Sequence, residues 1–208
     1  MSYLDTLIRQ YAAPELRLAG FRRSGRSFRR ASDRGDVAFV AFAEFPLDPV
    51  TVTFGIELAL TTRAHWEWIR RQTAPQYLGP PEHSGWLLRW SCPPPEQLAR
   101  DPEDDPETWM FGPRTDEVGF GAQLAQALRT TAVPQLLHLL DRGNLLEECR
   151  TPRIARMKGL ASPLERQIIA MVDDAPVEVV EEALRQRPEG EGHRDFAPWV
   201  RARLAGRE

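Results

Sequence analysis

The chain has 208 residues, 42% of them hydrophobic and 27% charged, with a formal charge of −3. That length can bury roughly 70% of the unfolded surface, so a core needs neither disulfides nor metal, and the charge excludes a generally basic nucleic-acid binder. Cys92 and Cys149 cannot build a disulfide framework. No stretch approaches the roughly 20 apolar residues of a membrane span. The N-terminal MSYLDTLIRQ has neither the basic nor the apolar region of a signal peptide, so a reduced, cytoplasmic protein is expected. Every basic residue except Lys158 is arginine, a bias that GC-rich coding explains and that also supplies forked donors for carboxylate or phosphate.

In chain order, Leu4, Leu7, Ile8 and Tyr11 recur at helical spacing behind Ser2 as N-cap, with Pro14 and Gly20 as punctuation. Strand character starts at Phe21, and a turn through Asp33 and Gly35 leads to the apolar run 37–45, read as a strand covered on both faces. In the next strand Val50, Val52, Phe54, Ile56, Leu58 and Leu60 share one parity, and Thr51, Thr53, Gly55, Glu57 and Thr61 the other. The short loop of Pro46, Asp48 and Pro49 makes the two an antiparallel hairpin. Residues 62–72 fit a short helix or a strand end, 86–92 a fourth strand and 108–112 a fifth. Asp116 caps a long helix whose inner stripe is Phe120, Leu124, Ala127, Leu128 and Thr131. Pro134 interrupts it, and Gly143 fits its C-terminal stop. Ser162-Pro163-Leu164-Glu165 is a capping box with proline at the first helical position, opening three short helices over 162–205. The sequence shows no internal repeat. The expected fold is α+β: an N-terminal helix, an antiparallel sheet of four or five strands and a long packing helix over 1–149, then a helical appendage over 150–208.

Leu18, Gly20, Phe21, Arg22, Arg23, Gly25, Arg26, Ser27 and Phe28, followed by Val52, Thr53, Phe54, Gly55 and Ile56, carry a likeness to a known family. In their order and spacing they resemble the domain-of-unknown-function 4304 family, over roughly residues 3–147. The resemblance implies a bacterial, cytoplasmic α+β domain and no particular activity.

Candidate sites come from charge and aromatic density. Residues 21–36 hold Arg22, Arg23, Arg26, Arg29, Arg30 and Arg34 against Asp33 and Asp36, an anion-binding face or a charged edge strand that resists aggregation. On one continuous strand Arg23 and Arg29 would share a face, and Arg22, Arg26 and Arg30 the other, with Gly25 able to bend the chain. Trp66, Trp68, Trp86 and Trp90, near Arg70 and Arg89, have the composition of a binding hot spot as well as of a core. The leading reading is therefore a non-catalytic binding module, of an immunity- or antitoxin-like kind, whose Arg/Trp face takes an acidic protein partner. Nucleic acid is disfavoured because aromatic residues are scarce between the arginines. The alternative is an enzyme with a pocket between sheet and final helix, using Glu44 and Glu57 as an acid/base pair.

Other chemistries lack their residues. His65-Trp66-Glu67 has no Pro-Cys-x-x-Cys partner for a deaminase zinc, no Gly-x-Ser-x-Gly elbow is present, and the acidic run Asp101, Glu103, Asp104, Asp105, Glu107 carries prolines where a calcium loop needs glycine. No cofactor or metal is expected. Oligomeric state is not legible in the sequence.

Overall fold

A computed structural model describes residues 2–45, 50–73, 81–95, 106–154, 157–159, 161–188 and 193–207. The expected loop at 46–49 and the acidic residues Asp101, Glu103, Asp104 and Asp105 lie outside them. The fold is α+β, with an antiparallel sheet of seven strands among the described residues where four or five were expected. The strands are β1 (Arg22–Ser24), β2 (Ser27–Ala31), β3 (Val37–Glu44), β4 (Val52–Thr61), β5 (Leu88–Ser91), β6 (Thr108–Phe111) and β7 (Lys158–Gly159), in the order β1-β2-β3-β4-β5-β7 with β6 also on β4. One additional strand is β7, and another comes from the arginine-rich stretch, which is a hairpin and not one strand. Gly25, at φ +60°, turns it between Ser24 and Ser27, a conformation that costs glycine nothing.

The chain divides into two units, one of Met1–Ala31, Ala38–Ala59 and Trp90–His138, the other of Ser32–Val37, Leu60–Arg89 and Leu139–Glu208. Residues from the first half of the chain, Ser32–Val37 and Leu60–Arg89, cluster with the tail in the second unit.

In the first unit, α1 (Tyr3–Leu7) and α2 (Ala13–Leu18) are joined by a π turn, Ile8–Ala12, and α4 (Glu117–Ala127) and α5 (Val133–Leu139) by another, Leu128–Ala132. Each π turn closes with a bond across five residues, from Ala13 N–H to the Ile8 carbonyl and from Val133 N–H to the Leu128 carbonyl, just before Pro14 and Pro134. A proline inside a helix has no N–H to donate, and its ring crowds the carbonyl four residues back. The wider turn relieves both problems and keeps the helix running. It also advances the buried stripe by one position, so Ala12 and Ala132 are buried where the regular period pointed to Tyr11 and Thr131.

The two stretches share the same device and five in-register identities at an offset of 120: Leu4, Arg9, Ala12, Pro14 and Leu16 correspond to Leu124, Arg129, Ala132, Pro134 and Leu136. The helices run parallel, with Tyr3 Oη donating to Glu117 Oε2 (2.6 Å) at one end and Arg129 bonded to Glu15 Oε1 (3.2 Å) further along. Phe28, Phe42, Phe54, Trp109 and Phe120 form the aromatic core of this unit, with Trp109 and Phe120 edge to face at 5.7 Å. Trp109 Nε1–H, fully buried, donates to the Cys92 carbonyl (2.9 Å).

The second unit contains α3 (Arg63–Thr73), α6 (Arg142–Arg150), α7 (Pro163–Met171), α8 (Val177–Arg185) and α9 (Phe196–Ala205). The capping box at Ser162 and Glu165 forms with both of its bonds. Gly143, expected to stop the long helix, instead lies in the first turn of α6, which Asp141 caps through Asn144 N–H (3.0 Å). Trp68, Phe196 and Trp199 pack together, with Trp68 and Phe196 ring centroids 5.3 Å apart.

Candidate functional site

Helix α2 ends in a Schellman motif. Phe21 N–H donates to the Leu16 carbonyl (2.9 Å), Gly20 N–H to the Arg17 carbonyl (2.9 Å), Gly20 has φ +82°, and Leu16 and Phe21 are both buried. The stop delivers the chain into β1, and the turn at Gly25 sets the hairpin register, Arg22 opposite Arg29, Arg23 opposite Phe28 and Ser24 opposite Ser27.

Phe28 is fully buried and meets Phe42, so its face of the hairpin looks into the core. Arg23 shares that face, its guanidinium 5.8 Å from the Phe28 ring centroid and its Nε donating to the Gly25 carbonyl (2.7 Å). Arg30 donates to the Ala19 carbonyl (2.5 Å) at the end of α2. In the turn, Arg26 ties the hairpin to the start of α1, with bonds to Asp5 Oδ1 (2.9 Å), Glu44 Oε2 (2.6 Å) and Ser2 Oγ (2.8 Å). The Arg26 bond is the main cause that holds the Asp5 carboxyl down at about 2. Three of the five candidate arginines thus hold the fold together.

Arg22 and Arg29 differ. They are exposed, lie directly opposite each other on the outer face, and have no acidic partner among the described residues. The expected faces are corrected accordingly: reversal at Gly25 pairs Arg22 with Arg29 and sends Arg23 to the other side.

Glu44 and Glu57 are not brought together. Phe45 N–H donates to the Thr53 carbonyl (2.7 Å), which sets residue 45 opposite 53 and 41 opposite 57. Side chains alternate along a strand, so Glu57 shares the face of Phe45 and Glu44 takes the other. Phe45 resting over Gly55, where an added Cβ would lie 3.2 Å from its ring, agrees with that register. The acid/base pair of the enzyme reading is absent from this geometry, and Glu44 is an ion-pair partner of Arg26.

The aromatic candidates also divide. Trp90 is buried, its Nε1–H donating to Gln135 Oε1 (2.9 Å), and Trp68 is buried in the cluster with Phe196 and Trp199. Both are core residues. Trp66 and Trp86 are half-buried. Trp66 lies over Gly85, where a Cβ would be 2.6 Å from its ring, so only glycine permits the approach. Arg89 stacks on Trp86 at 4.9 Å, and Arg70 stands one helical turn after Trp66. Arg22, Arg23, Arg26, Arg29, Arg30 and Trp90 belong to the first unit, and Trp66, Trp68, Arg70, Trp86 and Arg89 to the second.

The buried nucleophiles are quiet. Burial pushes the Cys92 thiol up to about 12 and Cys149 to about 11, away from the reactive thiolate. His65, buried at the start of α3, is held down at about 4 by desolvation, so it is neutral at pH 7.

Sequence reasoning missed the buried Arg142–Asp36 ion pair and the charge network around it. Arg142 grips Asp36 with two bonds, Nε to Oδ2 (2.6 Å) and Nη2 to Oδ1 (2.7 Å), and donates to the Ala170 carbonyl near the end of α7 (3.1 Å). Asp36 also accepts the Arg63 N–H (2.9 Å), Arg63 pairs with Glu67, Glu67 with Arg203, Arg203 with Asp173, and Asp173 lies 3.6 Å from Arg142. Three carboxylates and three guanidiniums close a ring of balanced charge within the second unit. Among the described residues its charges pair with one another and tie α3, α6 and α9 together.

Comparison with protein-family models, with curated proteins and with solved structures finds no match.

Proposed function

We propose that this protein is a non-catalytic binding module whose β1–β2 hairpin takes an acidic protein partner. One observation carries the reading: Arg22 and Arg29 face each other across a strand pair with no counter-charge among the described residues. Like charges directly opposite destabilise a sheet, and an acidic partner turns that cost into paired, charge-assisted hydrogen bonds. The likeness to the domain-of-unknown-function 4304 family stands as part of the proposal, resting on the residues of this hairpin and of β4. The half-buried Trp66 and Trp86 beside Arg70 and Arg89 have hot-spot composition and are a second, aromatic contact surface in the proposal.

The test is capture from native lysate with wild-type protein and with Arg22→Ala/Arg29→Ala. The expected result is one acidic protein held at low salt, released at high salt and lost in the variant, with the melting temperature of the variant unchanged or slightly raised. Equal capture by the variant removes the hairpin from the interface. Recovery of nucleic acid alone, its retention falling steeply between 50 and 200 mM salt, replaces the protein partner with a polyanion.

A further inference from the structure

We infer that Arg22, Arg29, Ser24 and Ser27 together form a recognition site for a phosphoryl group carried by a protein partner. This inference rests on the proposed binding role of the hairpin and names the chemistry it reads. The hairpin register places the two arginines opposite each other and the two serines opposite each other, two residues along. Because side chains alternate, all four share the face turned away from Phe28. Arg22, Ser24 and Arg29 are exposed and Ser27 is half-buried, and among the described residues none of the four side chains has a hydrogen-bond or ion-pair partner.

Directly opposed residues have Cβ atoms roughly 4.5–5.5 Å apart, a separation at which two long guanidinium groups converge on one tetrahedral anion. A carboxylate carries one charge and two oxygens, and a single arginine fork satisfies it. A phosphate monoester carries close to two charges and three acceptor oxygens, enough lone pairs for two forks and for the serine hydroxyls. The neighbouring strand leaves room beside the serines. Phe42 N–H donates to the Arg26 carbonyl (3.1 Å), which sets the small Ala41 opposite Ser27 and the buried Phe39 opposite Arg29. On the described strands of this face, Glu57 is the carboxylate one strand beyond Ala41, roughly 10 Å from Ser27 at the usual strand spacing. The site is a flat patch of strand, which suits a group presented on a partner's surface.

The experiment measures binding of a short phosphoserine peptide, the same peptide with serine, and the same peptide with glutamate. Amide chemical shifts report the location, and inorganic phosphate serves as competitor. The phosphopeptide should bind at least tenfold more tightly than the glutamate peptide, shift the amides of residues 22–29, and be displaced by phosphate. Ser24→Ala/Ser27→Ala should weaken it about tenfold. Arg29→Glu should abolish binding while leaving a cooperative thermal transition, since the introduced carboxylate would pair with Arg22 across the hairpin. Equal binding of the phosphoserine and glutamate peptides overturns the inference and leaves the acidic-partner reading standing. So does failure of every peptide while lysate capture still depends on Arg22 and Arg29. Loss of both overturns both.

Discussion

Arg142 and Asp36 show how one side chain can decide a region of the fold. Both are almost fully buried and their bonds are bidentate, so truncating either leaves a charge in the interior with no partner. Arg142→Ala should cost about 3–5 kcal/mol by chemical denaturation, and the paired replacement Asp36→Asn/Arg142→Met should recover much of that loss. If the single and double variants unfold alike, the pair is not the source of the stability. Neither residue stood out in the sequence. Asp36 read as the end of a turn and Arg142 as one cation among many, because a salt bridge across 106 positions leaves no periodic trace. The hairpin arginines were legible as a charged cluster. Their division into three structural and two outward-facing residues was not, because it follows from the turn at Gly25 and from the burial of Phe28.

Among the elements, those with a local cause were read well: the capping box at Ser162, the alternation along β4 and the apolar run of β3. The π turns were not, because period counting assumes one helical pitch throughout, and each wider turn moves the stripe by one residue. Gly121 tests how closely the paired helices approach. A Cβ there would lie 2.4 Å from the Tyr11 ring, so Gly121→Ala should destabilise the protein by about 1–3 kcal/mol. Combining it with Tyr11→Ala should remove most of that specific clash, which a double-mutant cycle measures. Additive losses would place the damage elsewhere in α4. The second cause of missed elements is length. β1 and β7 span three and two residues, too few for alternation to register.

Across the whole molecule, fold class was legible in the order of the elements, while the packing that joins Leu139–Glu208 to Ser32–Val37 and Leu60–Arg89 leaves no trace in composition. Deleting residues 160–208 should therefore give insoluble protein or one that binds hydrophobic dyes. The deletion removes Phe196 and Trp199 from Trp68 and takes Asp173 and Arg203 out of the ion ring. A soluble truncation with cooperative unfolding would show the tail to be dispensable. The same interleaving sets a timetable for synthesis. Asp36 emerges from the ribosome 106 residues before Arg142, which at roughly 5–20 residues per second is a wait of roughly 5–20 s. For that interval Asp36 has its turn and the Arg63 N–H but not its principal counter-charge, so the clasp that fastens α6 to this turn closes only after α6 has been made.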